Sequence, residues 1–193
     1  MRTPWENNRY TLRRQIIALT GKIRIFAPER KLFCYAEQKL FRLREDIRVY
    51  EDETKRSKLL IIQARQILDF AASYDVLDSR TVMNVGTLRR RGFQSMLRDQ
   101  WEILGPGGEM IGVIEEDSGC RAALRRLLLG SLLPQTYLIR LADGGNAGTF
   151  TQRFHLFRYE MDLAFDVGPE QFDRRLGIAG AILLATIEGK QSS

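Results

Sequence analysis

Apolar side chains recur along this chain in two different ways. Over most of its length they alternate with polar ones, the period-two pattern of a strand that buries one face. Near the C-terminus they run unbroken. Alternation starts with Tyr10 and Leu12, inside an expected strand over 9–19. Ile23 and Ile25 alternate with Lys22 and Arg24, Pro28-Glu29-Arg30 supplies a turn, and the chain returns over 32–38. Ile47 and Val49 alternate with Asp46, Arg48 and Tyr50, and a charged tip over 51–58 leads into Leu59-Leu60-Ile61-Ile62. The layout then repeats: Tyr74 and Val76, a turn at Asp78-Ser79-Arg80, a strand over 83–88, Trp101 to Leu104, the turn Gly105-Pro106-Gly107-Gly108, and a return from Met110 to Glu115. A third unit opens over 136–141, turns at Asp143-Gly144-Gly145-Asn146 and returns through Gly148 to Phe154. Its last strand sets Tyr159, Met161, Leu163 and Phe165 on one face and Glu160, Asp162 and Asp166 on the other. The units recur at intervals of about 50 residues, the third lengthened by an inserted helix.

The unbroken run comprises Leu176, Gly177, Ile178, Ala179, Gly180, Ala181, Ile182, Leu183, Leu184, Ala185, Thr186 and Ile187. A helix apolar on every face must be surrounded, by protein or by lipid. This one spans roughly 18 Å, short of the ~30 Å hydrocarbon layer, so protein is the expected surround. A count of about twelve strands, with no helix between most of them, gives an antiparallel meander. Closed at that number, a barrel has a lumen too wide for its own side chains to fill, and one helix is about the right diameter to plug it. The predicted fold is therefore mostly β: a closed antiparallel barrel of about twelve strands around a central C-terminal hydrophobic helix, with one inserted amphipathic helix. Gly168-Pro169-Glu170 is expected to open the C-terminal helix and Gly189 to stop it. The competing reading takes Gly177, Ala181 and Ala185 as a membrane dimer seam, against which the short apolar length counts.

A chain of 193 residues suits a single domain, here 9–191 preceded by a flexible arm over 1–8. Its net charge is +6 and its pI about 9.6, a balance that favours anionic partners. Cys34 and Cys120 form no CxxC pair, and the N-terminus has no apolar h-region. A cytoplasmic monomer, in peripheral contact with membrane and without a transmembrane segment, is the expectation.

The strongest basic feature is Arg89-Arg90-Arg91, followed by Gly92-Phe93 and Arg98. Three consecutive charges cannot share a strand's buried face, so some must meet solvent or an anion. Guanidinium forks beside an aromatic ring suit phosphates. In the inserted helix, Arg121, Arg125 and Arg126 oppose Leu124, Leu127, Leu128 and Leu129, a pattern for an anionic membrane surface or for a cap on the barrel end. Arg13-Arg14 and Arg42 with Arg44 read as polar positions on a barrel's outer face.

Signs of catalysis are missing. His155 is the single histidine, no GxSxG surrounds a serine, and Gly105 to Gly108 lack the GK[ST] ending of a phosphate loop. Glu115-Glu116 carry no mark of an acid/base couple. No cofactor or metal is expected, and no enzymatic activity.

Three stretches carry a family likeness. They are Tyr74-Asp75-Val76 through Val85-Gly86-Thr87-Leu88-Arg89-Arg90, then Trp101-Glu102-Ile103-Leu104 with Gly107 to Gly112, then Asp173-Arg174-Arg175-Leu176-Gly177 into the apolar helix and Ile187 to Gln191. In order and spacing the chain resembles the tubby C-terminal-like superfamily, which includes phospholipid scramblases and plant LURP-one-related proteins. The resemblance implies a twelve-stranded barrel around a hydrophobic helix, and phosphoinositide binding or calcium-dependent lipid movement. No lipid-contact residue of that family maps onto this chain one for one. Asp162, Asp166, Glu170 and Asp173 lack the alternating ligand spacing of a calcium loop.

The leading expectation is a non-enzymatic module for anionic, phosphoinositide-like phospholipid head groups at a membrane surface. A nucleic-acid-binding protein using the same arginines is the alternative, as is a scaffold or ligand-sequestering barrel.

Overall fold

A computed structural model of the chain describes residues 5–15, 20–39, 46–65, 72–90, 100–117, 135–153, 155 and 158–187. Alternation becomes twelve strands: β1 (Arg9–Gln15), β2 (Thr20–Phe26), β3 (Leu32–Lys39), β4 (Ile47–Tyr50), β5 (Lys58–Ala64), β6 (Ser73–Asp78), β7 (Asn84–Arg90), β8 (Gln100–Leu104), β9 (Met110–Glu116), β10 (Thr136–Leu141), β11 (Asn146–Arg153) and β12 (Arg158–Phe165). A single described α-helix, α1 (Arg174–Ile187), follows them. Each strand pairs antiparallel with its neighbours in sequence, and β12 closes the barrel on β1 from Arg9↔Ala164 to Gln15↔Arg158. Closure leaves no unpaired sheet edge.

Because the chain meanders, its connections alternate between the two ends of the barrel. At one end, which α1 enters, they are the short segments 27–31, 51–57, 79–83, 105–109 and 142–145. The turn at 142–145 shows their chemistry. Gly144 has φ +89°, the Gly145 N–H donates to Asp143 Oδ1 at 2.8 Å, and the Leu141 N–H donates to the Gly145 carbonyl. The exit end, where α1 finishes, receives the ends of β1, β3, β5, β7, β9 and β11.

Inside the barrel, Leu12, Ile25, Val49, Ile62, Val76, Leu88, Ile103, Ile114, Ile139, Phe150 and Met161 form one apolar lining. Leu176, Ile178, Ala179, Ala181, Ile182, Leu183, Leu184 and Ala185 of α1 are buried on all sides by it. Close approach explains the helix's two glycines. A Cβ at Gly177 would lie 2.5 Å from the Phe165 ring, and one at Gly180 would lie 2.5 Å from Ile114 Cδ1. No described helix is long and apolar enough to cross a membrane.

Three expectations need correction, and others fall outside this description. The helix does not open at Gly168-Pro169-Glu170 but at Arg174, capped by Asp173, whose Oδ1 accepts the Arg175 N–H at 2.9 Å. Residues 168–173 turn instead, which lets Phe172 fold under the barrel against Phe165. β7 begins at Asn84 and not at Met83, which is exposed beyond the register shift between Val76 and Leu77. Arg14 is not an outer-face charge: period-two alternation puts Arg13 outside and Arg14 inside, where it is buried. The inserted amphipathic helix, Gly189, the outer part of the expected first strand and the side chain of Ile187 lie outside the described residues. At the other terminus, Trp5 stacks edge-on against Phe33 at 5.0 Å.

Candidate functional site

Of the arginines singled out in the sequence, Arg89 and Arg90 are described, and both stand at the exit end of the barrel. β7 delivers Arg89 and Arg90 to the exit end, and Arg91, Arg98, Arg121, Arg125 and Arg126 fall in segments that leave from and return to that end, outside the described residues. Alternation parts the two that are described. Arg89 sits opposite Glu102 in the β7–β8 register and faces out, its guanidinium 2.6 Å from the Glu102 carboxylate. Arg90 follows Leu88 onto the inner face, near Tyr74, and is half-buried. Arg89 and Arg90 therefore do not share a face.

Arg14 joins Arg90 on the inside of this end. Its guanidinium donates to the Ala185 carbonyl in the last turn of α1. Cations are favoured there, because the last carbonyls of a helix lack intrahelical donors and carry its partial negative charge. Burial pulls the Arg14 pKa below its ordinary value, opposed by the nearby Tyr159 hydroxyl.

A denser cluster stands on the outer wall formed by β11, β12 and β1. The registers Arg13↔Glu160 and Arg153↔Glu160 set three side chains in one row across the strands. Glu160 faces outward yet is only 2% exposed, because cations cover it. Arg13 Nε lies 2.9 Å away, Arg158 Nε 3.1 Å, His155 Nε2 3.8 Å and an Arg153 terminal nitrogen 4.0 Å. Arg153 also pairs with Asp162, which accepts from the Thr11 hydroxyl at 3.1 Å. Three guanidinium groups thus share two carboxylates. Arg153 and Arg158 remain 59% and 45% exposed, so each can turn a fork toward an incoming oxyanion. Among the described residues the exit end is not uniformly basic, since Glu115 and Glu116 close β9 and Asp117 follows.

Sequence reading missed Arg153, Arg158 and the burial of Glu160. A usable signal existed. Arg153, His155 and Arg158 bracket the connection from β11 to β12, and closure on β1 puts Arg13 beside them. That pairing joins residues about 150 positions apart, and only the closed sheet reveals it.

The four carboxylates weighed as a calcium segment are occupied otherwise or dispersed: Asp162 with Arg153, Asp166 with Asn146 and Asp173 with Arg175, while Glu170 is exposed. Compared with known proteins, the chain matches no family model, no curated protein and no solved structure at a significant level.

Proposed function

We propose that the exit end of the barrel binds anionic phospholipid head groups at a membrane surface, without catalysis. The observation that carries this reading is the wall of Arg13, Arg153 and Arg158 around Glu160, a cluster with more guanidinium than carboxylate and two forks open to solvent. Sequence asymmetry between the barrel ends supports it. Segments at the entry end are short and mostly polar or glycine-rich, with Val82 and Met83 the exposed apolar side chains among them. Those joining strands at the exit end carry Ile16 and Ile17, Leu40 and Phe41, Leu68 and Phe70, Phe93 and Leu97, Leu127 to Leu129, and Leu156 and Phe157, with arginines between. Apolar side chains interleaved with cations are what an anionic bilayer interface attracts. The tubby-like likeness points the same way.

Liposome flotation tests it. The protein should float with vesicles containing phosphoinositide and not with neutral ones. Each basic residue at such a surface is worth about 1 kcal/mol, so Arg153→Ser with Arg158→Ser should weaken partitioning by about twentyfold or more. Rising salt should release the bound protein. Indifference to lipid charge, or retention by nucleic acid in preference to vesicles, would overturn the reading.

A further inference from the structure

At the entry end, far from that wall, a cavity of about 290 Å³ lies against the start of α1. Three guanidinium groups line it, from Arg80, Arg174 and Arg175, with the carboxylates of Asp78 and Asp173. Arg175 takes up both carboxylates, at 2.7 Å to Asp78 and 2.6 Å to Asp173. Among the described residues, no carboxylate comes within ion-pair distance of Arg80 or Arg174. Its lining residues thus set three cations against two carboxylates, and Glu170 and Asp173 reach Arg174 only as through-space charges without direct contact.

Arg174 makes the case specific. It is fully buried, stacked at 4.5 Å over the Phe165 ring. Its terminal nitrogens donate to the Phe172 carbonyl at 3.2 Å, to Asn8 Oδ1 at 2.9 Å and to the Val167 carbonyl. Its Nε has no acceptor. A buried guanidinium that meets only neutral oxygens, with one donor orphaned, is a costly arrangement that an anion would relieve. The amino end of α1 adds partial positive charge at the same place, and its capping carboxylate is already engaged by Arg175. Trp5, Leu59 and Pro169 supply an apolar wall beside these donors.

We infer that this cavity is a binding site for a small soluble phosphate monoester. A phosphate offers enough oxygens to accept from two forks at once. The volume is close to the lower bound for small-molecule pockets, about 300 Å³, which suits a compact organic phosphate. The phosphate lies at the start of α1 between Arg80 and Arg174, the two guanidinium groups without a carboxylate partner, and the organic part rests on Trp5. This site is independent of the lipid reading, which concerns the opposite end.

Isothermal titration of the full chain with phenyl phosphate tests the inference, with benzyl alcohol as the neutral control. Saturable binding is expected for the phosphate alone. Arg80→Gln, in an exposed turn where the side chain supports no core packing, should weaken it about tenfold, the effect of losing one charge-assisted fork. Flotation of Arg80→Gln with phosphoinositide vesicles should equal that of the unaltered chain. Absence of saturable phosphate binding, or equal affinity in Arg80→Gln, would overturn the site. Loss of vesicle flotation in that variant would overturn the soluble ligand and assign the pocket to a lipid head group.

Discussion

At the scale of single residues, Asp78 shows how one carboxylate ties the barrel to its plug. Burial works to raise its pKa, but hydrogen bonds from the Arg80 and Thr81 N–H groups and the Arg175 guanidinium outweigh that, and the net shift is downward. A depressed carboxylate stabilises the fold above its unfolded pKa of about 3.9 and loses that contribution as pH falls through the lower, folded value. Asp78→Asn keeps an oxygen for the two N–H groups and removes the ion pair. It should cost about 1–3 kcal/mol at pH 7 in urea unfolding. The gap between variant and parent should close below about pH 4; a gap that persists to lower pH would show that the charge is not the cause. The alternation around Asp78 was legible in the sequence. Its partner Arg175, 97 positions away, was not, because ion pairing across a lumen follows from strand closure.

At the scale of elements, α1 was the most legible feature, since twelve uncharged residues in a row admit few fates in water. Its start was not. Proline and glycine at 168–169 mimic a helix opening, but burial of Phe172 favours turns there and moves the cap to Asp173. The two helix glycines separate propensity from packing. Replacing glycine by alanine inside a helix gains about 1 kcal/mol from propensity alone. At Gly180 the new methyl meets only the end of the Ile114 side chain, which can rotate away. At Gly177 it meets the Phe165 ring at 2.5 Å and the Phe172 ring at 3.1 Å, both fixed in the core. Gly180→Ala should therefore leave the unfolding midpoint almost unchanged, while Gly177→Ala should lower stability by about 1–3 kcal/mol through overpacking. Equal effects would mean that the helix can slide within the barrel. Among strands, β12 kept its expected inner face, whereas Glu160 on its polar face proved to be buried beneath the side chains of neighbouring strands. Period-two patterns assign a face, and they do not report what an adjacent strand lays over it.

On the scale of the whole molecule, barrel and helix each supply the other's missing surface. Removing residues 174–193 would leave the lining from Leu12 to Met161 facing an empty lumen. Single large-to-small changes in a core already cost about 2–5 kcal/mol, so loss of the entire plug exceeds the usual stability of about 5–15 kcal/mol. A chain ending at residue 173 should show neither a cooperative urea transition nor near-ultraviolet dichroism from its buried aromatics. A sharp transition in that truncated chain would mean that the barrel can close on itself.

Sequence by itself determined the strand count, the meander and the need for an apolar helix to be enclosed. Those follow from local periodicity and from a length of apolar chain, which neighbours in space do not alter. Only the tertiary structure decided which charges meet. Closing β12 on β1 placed Arg13 beside Arg153 and Arg158, alternation sent Arg14 and Arg90 inward, and threading α1 brought Arg175 to Asp78. Charge pairing is a through-space property, and in a barrel the strands that are neighbours in space include the first and the last.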